Sequence, residues 1–151
     1  MSPSLSFREA TSTDLPILAE LLADDVLGAS RDGPQHLQTY AKAFAAVKGQ
    51  QGNRIIVALL DTTIVGMLQL TVIPGLSRGG ALRAQIESVR VSRHHRNMRI
   101  GRALFDYAID QARDSGCTLV QLSTDKRRSE AMRFYESLGF VATHEGLKME
   151  L

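Results

Sequence analysis

The chain has 151 residues, of which 44% are hydrophobic and 23% are charged, and its formal net charge is +2. These values exclude a disordered chain and fit a globular protein with a full hydrophobic core. Cys117 is the only cysteine, and neither a signal segment nor a membrane-spanning apolar run is evident. We therefore expect one cytoplasmic domain, residues 1–151.

The first part of the chain alternates between strand and helix patterns. A short strand over residues 4–9 precedes a helix with one apolar side, formed by Leu15, Leu18, Leu22 and Val26. A second helix is predicted from Pro34 to Gly49, with a buried side formed by Leu37, Ala41, Phe44 and Ala45. Residues 54–60 and 64–73 are predicted to form a hairpin.

The second part of the chain continues this alternation. A strand is predicted over residues 82–91, and a buried strand over residues 118–123. The helix between them has an apolar side formed by Ile100, Ala103, Leu104, Tyr107, Ala108 and Ala112. A last helix has an apolar side formed by Ala131, Phe134, Tyr135 and Leu138, and two short strands are expected within residues 141–151.

Positive charge is concentrated where the strand over residues 82–91 turns into a helix. Residues 78–102 contain seven arginines and one acid, Glu87, so their formal charge is +6. A strand that turns directly into a helix leaves backbone N–H groups without partners, and the helix dipole adds positive charge there. This combination predicts a site for a phosphate group or another compact polyanion.

Two segments resemble the fingerprints of the GNAT superfamily, the acetyl-CoA-dependent N-acetyltransferases. The first is Val-x-Val at 89–91 followed by Arg96-Asn97-Met98-Arg99-Ile100-Gly101, in which Arg99 replaces the first glycine of the family motif. The second is Ala131-Met132-Arg133-Phe134-Tyr135, followed by Gly139-Phe140. The two segments stand in the family's order and separation, and the resemblance extends over essentially the whole chain.

The resemblance implies an α/β (α+β) fold, a mixed and mostly antiparallel sheet of six to seven strands with about four helices. It also implies acetyl transfer from acetyl-CoA, the co-substrate, to a primary amine of a small molecule or peptide. The residues expected to bind the cofactor are Val89, Val91, Arg96, Asn97, Met98, Arg99, Ile100, Gly101, Arg102 and Arg128. Arg128 stands where many family members have an asparagine, and we expect it to contact a phosphate instead.

Two residues are candidates for catalysis. Tyr135 matches the family's tyrosine near the CoA sulfur, so we expect it to donate a hydrogen bond to the leaving thiolate. The alternative for Tyr135 is a packing role beside Phe134. Glu87 matches a family position that acts as a base through water or binds the acceptor amine. The alternative for Glu87 is an ion pair with Arg83 or Arg90.

Other functions remain open at this stage. His94 and His95 are expected to be solvent-exposed, Cys117 is expected not to act as a nucleophile, and no metal site is predicted. One alternative is a GNAT-like domain that binds CoA without transferring acetyl. A phosphate-backbone binder for nucleic acid is a less favoured alternative, since no aromatic residues interleave with the arginines. The acceptor and the oligomeric state are open, with a homodimer as one possibility, and an α-amine is preferred over a lysine side chain.

Overall fold

A computed structural model describes residues 2–25 and 27–151. The chain divides into two compact units, Met1–Gln121 and Leu122–Leu151. Val26, which the sequence places on the first helix face, lies outside the described residues. The single domain over residues 1–151 stays a prediction. Among the described residues, no helix combines the length and the apolar character needed to cross a bilayer.

The first unit is built on a five-stranded sheet in which sequence order equals spatial order. Its strands are β1 (Leu5–Glu9), β2 (Asn53–Leu60), β3 (Thr63–Ile73), β4 (Leu82–Val91) and β5 (Cys117–Gln121). The pairs from β1 to β4 are antiparallel, and β5 lies parallel to β4. A parallel neighbour requires a crossover connection, which the helix Ile100–Asp114 provides.

Four α-helices of nine residues or more occur among the described residues. They are α1 (Leu15–Ala23), α2 (Leu37–Gly49) and α3 (Ile100–Asp114) in the first unit, and α4 (Ser129–Ser137) in the second. A four-residue helical turn at Ser77–Gly80 contains left-handed residues, as the glycine-rich sequence there allows. The predicted fold class, a mixed and mostly antiparallel sheet with about four helices, is confirmed.

The core lies along the central strands and one side of α3. Val57, Val65, Leu68 and Leu70 on β2 and β3 are fully buried, as is Leu104 on α3. The predicted apolar side of α3 is confirmed, and it also includes Phe105, which is buried as well. Tyr107 stacks on Phe7 of β1 with ring centroids 4.8 Å apart. Helix α3 therefore has a fixed position over the sheet.

The predicted buried side of α2 is wrong in part. Ala41 and Ala45 are exposed, whereas Tyr40 is half-buried and Phe44 is buried. The Tyr40 hydroxyl donates to Asp32 at 2.8 Å and accepts from the backbone N–H of Gly33 at 3.1 Å. These bonds hold the tyrosine side of the helix inward and leave the small alanines at the surface.

The predicted number of strands is also wrong, because residues 141–151 form neither of the two expected strands. The described sheet has five strands instead of six to seven. Strand β5, predicted to be buried, contains no fully buried residue. A strand is stable only when its backbone pairs with a neighbour, and the described residues 141–151 take part in no ladder.

An ion pair between a buried carboxylate and an exposed arginine fixes the start of α1. Asp14 is 7% exposed, and Arg8 of β1 donates two hydrogen bonds to its carboxylate, at 2.7 and 3.1 Å. The backbone N–H of Thr11 donates a third, at 2.8 Å. The Arg8 guanidinium, more than Thr11, holds the pKa of Asp14 below its usual range.

We predict that Asp14→Asn lowers the free energy of unfolding at pH 7 by about 1–3 kcal/mol, because an amide cannot replace the carboxylate toward Arg8 and Thr11. Since the folded-state pKa is depressed, this contribution is present above the unfolded-state pKa and is lost as pH falls through the folded value. The difference between the two proteins should therefore shrink below about pH 4.

Denaturant titrations at pH 7 and at acidic pH measure this difference. Asp106→Asn is the control, because Asp106 is exposed on α3 and should change stability by less than about 0.5 kcal/mol. A difference between Asp14→Asn and the wild type that does not change with pH would contradict the prediction.

Candidate active site

Strand β4 contains a bulge opposite the middle of β3. Residues 67–69 of β3 lie against residues 87–90 of β4, so β4 carries one extra residue there. Ser88 has φ 56°, a left-handed conformation that is uncommon outside glycine. A bulge bends its strand and redirects the following side chains. It also breaks the regular alternation of side chains between Glu87 and Val89.

Strand β4 separates from β5 soon after the two strands meet. The parallel pairing begins at Leu82 and ends at Gln85, which lies against Gln121. From Ile86 to Val91, the only described ladder of β4 is the one with β3. The backbone on the other side of this segment is available to pair with an extended ligand. Val89 and Val91 lie in this open segment and are half-buried.

The turn between β4 and α3 is made with left-handed backbone. Asn97 has φ 67°, and Arg99, the N-cap of α3, has φ 58°. Glycine adopts this conformation without strain, which explains a glycine at this place in the family motif. Arg99 thus has a backbone conformation that glycine adopts readily, although its side chain differs from glycine.

The start of α3 presents backbone N–H groups. Its N-cap residue provides no side-chain hydrogen bond, and the N–H of Ala103 donates to the carbonyl of Arg99 at 3.1 Å. The amides of Ile100 and Gly101 precede this bond, at positions where a helix offers no internal acceptor. The buried Ile100 side chain anchors them in place. A helix start of this kind can bind a phosphate group.

The arginines near this turn differ in their surroundings. Arg90 and Arg93 lie 3.8 Å from the carboxylates of Asp25 and Asp24. Three arginines further along have exposed side chains, namely Arg96, Arg99 and Arg102. The acids after α1 therefore form long ion pairs with the first two arginines, Arg90 and Arg93. Met98 within the turn is also exposed.

Glu87 is exposed on β4, next to the bulge. It accepts a hydrogen bond from the side-chain amide of Gln85 at 3.0 Å, and Gln85 accepts one from Gln121 at 3.1 Å. Its partner across the ladder is Gln69 of β3. A glutamine chain therefore orients this carboxylate, a feature that the sequence pattern does not reveal.

An apolar cavity of about 140 Å³ reaches the bulge from the side of α1 and α2. Its lining includes Leu18, Leu22, Tyr40, Phe44, Gln69 and Ser88. Burial raises the pKa of the Tyr40 hydroxyl, so this group is a neutral polar one at physiological pH. An apolar pocket with a few polar groups is typical of a site for a small molecule. A larger cavity of about 260 Å³, between the end of α2 and the start of β2, contains no predicted site residue.

The second unit contains Arg128 and Tyr135. Arg128 is the N-cap of α4, and its backbone N–H donates to the carbonyl of Asp125 at 2.9 Å. Arg127 bonds to the Asp125 carboxylate at 2.7 and 2.9 Å and holds the pKa of that carboxyl well below its usual range. Asp125 thus fixes the loop that leads into α4.

Tyr135 lies on the half-buried side of α4, and this side has the four predicted members, Ala131, Phe134, Tyr135 and Leu138. Its ring centroid is 5.7 Å from that of Phe134 and 6.2 Å from that of Phe140. Two aromatic neighbours fix the ring orientation, which suits both a positioned hydroxyl and a packing role.

Sequence reasoning missed Ser88, Gln69 and Tyr40. A serine at a bulge leaves no sequence signal, whereas the spacing of Leu37, Tyr40, Phe44 and Val47 in α2 is a helical pattern that could have been found.

His95 is half-buried instead of exposed. Burial raises the pKa of the Cys117 thiol, which disfavours the thiolate. Within residues 2–25 and 27–151, no three His, Cys, Asp or Glu side chains are grouped to hold a metal ion.

The sequence profile of the acetyltransferase (GNAT) family matches residues 16–140. The chain belongs to this family. It is similar to an aminoalkylphosphonate N-acetyltransferase from Salmonella typhimurium, with 27% identity over 94% of this chain and 88% of that one. It is also similar to a glucosamine 6-phosphate N-acetyltransferase from Trypanosoma brucei brucei, with 33% identity over 58% of each chain. Acetyl transfer is the general activity that this membership supports.

A solved structure provides a third comparison. The crystal structure of a transcriptional regulator from Bacillus halodurans C-125 has a TM-score of 0.92 and 46% identity. The similarity covers 98% of this chain and 100% of that one. The GNAT fold of the present chain thus has a close counterpart.

Gly66 of β3 lets α3 pack close to the bulged strand. A Cβ at this glycine would lie 3.1 Å from the carbonyl oxygen of Arg90 and 3.6 Å from the Ile100 side chain. We predict that Gly66→Ala lowers the free energy of unfolding by about 1–3 kcal/mol, because backbone must move to accept the methyl group. Gly49→Ala is the control. No atom lies within 4 Å there, and alanine favours the helix.

Thermal or denaturant unfolding of both variants measures the effect. Gly49→Ala should equal or exceed the wild type. Equal stability of the two variants would contradict the proposed packing role of Gly66.

Proposed function

We propose that this protein transfers an acetyl group from acetyl-CoA to a primary amine by direct attack in a ternary complex. The observation that carries the proposal is the uncapped start of α3, which follows the open segment of β4 after the turn over residues 92–99. The start of α3 suits a diphosphate, and the open segment of β4 suits an extended amide-containing arm. Family membership supports the same donor, since the family generally uses acetyl-CoA.

The proposed binding mode assigns each part of CoA to one feature. The backbone amides from Arg96 to Arg102 would hold the diphosphate, aided by the exposed guanidinium groups. The pantetheine arm would pair with the open edge of β4 along Val89 and Val91. Arg128 is proposed as a further phosphate contact, on the basis of its charge and its place in the motif.

The chemistry needs a neutral amine, a stabilised oxyanion and a proton for the departing thiolate. A thioester is already activated, so holding both substrates in place supplies much of the rate enhancement. We assign Tyr135 as the hydrogen-bond donor to the thiolate. A phenol has a pKa of ~10 and a thiol a pKa of ~8.5. Full proton transfer from the phenol to the thiolate is therefore uphill by about 2 kcal/mol. The tyrosine would therefore share its proton in the transition state.

Glu87 is proposed to bind the acceptor amine or to relay its proton through water. Support comes from its place beside the bulge and from the hydrogen bond that orients it. An exposed carboxylate attracts a cationic amine toward the site before the amine loses its proton.

The acceptor is proposed to be a small molecule with a primary amine. The two curated relatives are named for aminoalkylphosphonate and glucosamine 6-phosphate, which are both small amines. The cavity at Ser88 would hold an apolar part of the acceptor, because most of its lining is aliphatic or aromatic. An α-amine of pKa ~8 is preferred over a lysine-type amine of pKa ~10.4, since more of it is neutral at pH 7.

The binding site can be tested by calorimetry with CoA. Arg99→Gly keeps the left-handed backbone and the amide but removes the guanidinium, so we predict an affinity about 5–10-fold lower. Arg113→Ala, near the other end of α3, is the control and should leave the affinity unchanged. Absence of CoA binding to the wild type would contradict the proposal.

The role of Tyr135 can be tested by the rate of thiol release. Tyr135→Phe should lower kcat at least about 10-fold with little change in KM for acetyl-CoA, because the donor acts only on the developing thiolate. Tyr107→Phe makes the same change in a tyrosine that stacks on Phe7, and it should retain activity. If the two variants have equal kcat values, Tyr135 is not the donor to the thiolate and has a packing role instead.

Nucleic-acid binding is a second candidate function. The observation that favours it is the similarity to a chain named as a transcriptional regulator. Against it, Asp25 and Asp24 lie close to two of the arginines near the turn. A gel-shift assay with DNA and RNA at low and moderate salt, with CoA as competitor, separates the two functions. Tight, salt-sensitive binding that CoA does not displace would favour the second.

A further inference from the structure

The cavity of about 140 Å³ that reaches the bulge has an uncharged lining. Its described lining residues are aliphatic or aromatic, and their only polar groups are the Gln69 amide and the hydroxyls of Tyr40 and Ser88. The Tyr40 hydroxyl already bonds to Asp32 and Gly33. No group in this lining neutralises a phosphate or a carboxylate, and an unpaired anion is costly to bury. The lining therefore favours an uncharged ligand group.

The charged groups beside the cavity do not favour an anion either. Glu87 lies opposite the lining residue Gln69 in the ladder between β3 and β4. Arg90 lies opposite the lining residue Met67, but its guanidinium is 3.8 Å from the Asp25 carboxylate. An anionic acceptor would thus meet one carboxylate and one cation that already has an acidic partner.

The polar end of the cavity lies at the bulge. The Nε2 of Gln69 donates to the Oδ1 of Asn53 at 2.9 Å, and the Thr71 hydroxyl donates to the same oxygen at 3.2 Å. Asn53 thereby holds the Gln69 side chain and leaves its carbonyl oxygen available to an N–H donor. Since ladder partners share a face of the sheet, Glu87 lies on this face as well. These two oxygen-bearing side chains suit an amine group.

The volume of the cavity limits the group that can enter it. A dry cavity of roughly 150 Å³ lined by Leu, Ile and Phe side chains holds one benzene molecule. The present cavity, of about 140 Å³, has a similar volume and a similar lining. It therefore fits a single ring or a branched chain of about four to six carbons.

We propose that the acceptor is a primary amine with one compact, uncharged hydrocarbon group, which enters the cavity while the amine stays at Gln69 and Glu87. This inference rests on the proposed function and adds the class of substrate. An α-amine with a leucine-like or phenylalanine-like side chain has this shape. The class differs from the amines for which the two curated relatives are named, because a phosphonate or a phosphate is anionic.

Two amino-acid amides test the class of acceptor. L-Leucinamide and L-glutamic acid α-amide share the α-amine and differ mainly in the charge of the side chain. In an assay of thiol release from acetyl-CoA, kcat/KM should be at least about 30-fold higher for L-leucinamide, because only its side chain gains from burial. 2-Aminoethylphosphonate and glucosamine 6-phosphate should also react poorly. An equal or higher kcat/KM for any of these three anionic amines would overturn the proposal.

A cation placed at the cavity should change this preference. Ala43 of α2 lines the cavity and is exposed, so Ala43→Arg adds a guanidinium at the rim without replacing a core side chain. The kcat/KM of L-glutamic acid α-amide relative to that of L-leucinamide should rise about 5-fold. Ala45→Arg, exposed on the same helix and outside the described lining, is the control and should not change this ratio. An unchanged ratio in Ala43→Arg would contradict the placement of the acceptor side chain in the cavity.

Backbone NMR distinguishes a failure of this proposal from a failure of the proposed function. Titration of ¹⁵N-labelled protein with L-leucinamide, with and without CoA, should give saturable shifts at lining residues such as Leu22, Met67 and Ser88. If these shifts occur but no amine is acetylated, the proposed function is wrong and the ligand class stands. If the lining residues do not shift in either condition, or if L-glutamic acid α-amide binds there more tightly, the ligand class is wrong whether or not acetyl transfer occurs.

Discussion

The central constraint on this molecule is the backbone between β4 and α3, which must reverse from an extended strand into a helix over residues 92–99. Left-handed residues at Asn97 and Arg99 make the reversal, and α3 then begins without a side-chain cap. The free energy that holds this geometry comes from the core, because Ile100 and Leu104 are buried. A helix start held in this way presents amides that cannot bond within the helix, and an anion is their natural partner.

Two irregularities of strand β4 form the second part of the site. The bulge at Ser88 bends β4, and the loss of pairing with β5 after Gln85 leaves the following segment with one open edge. Gly66, which pairs with Val91 at the end of this segment, permits α3 to pack closely there. The cavity lined by Ser88 reaches the bulge in this segment, and under the proposed function the acceptor amine would meet the thioester there.

The sequence predicts the regular parts of this arrangement well. The ends of β4 and the apolar side of α3 follow from side-chain periodicity, which is strong where one face is buried. The buried side of α2 was predicted wrongly in part, because the alanines at 41 and 45 were preferred to Tyr40, whose hydroxyl bonds to Asp32. Periodicity could not show the bulge at Ser88, since an extra residue depends on pairing between strands. The two predicted terminal strands have the right pattern, but a ladder depends on a partner that a sequence does not specify. The assignments of Tyr135 and Glu87 come from motif resemblance and stay predictions.

The central claim is that the amides at the start of α3 bind the diphosphate of CoA. Its most direct test is a titration of ¹⁵N-labelled protein with CoA, followed by NMR of the backbone amides. The largest and saturable shifts should occur for residues 97–102, and pantetheine without the nucleotide should not reproduce them. Shifts confined to other elements, or equal shifts with pantetheine alone, would contradict the claim.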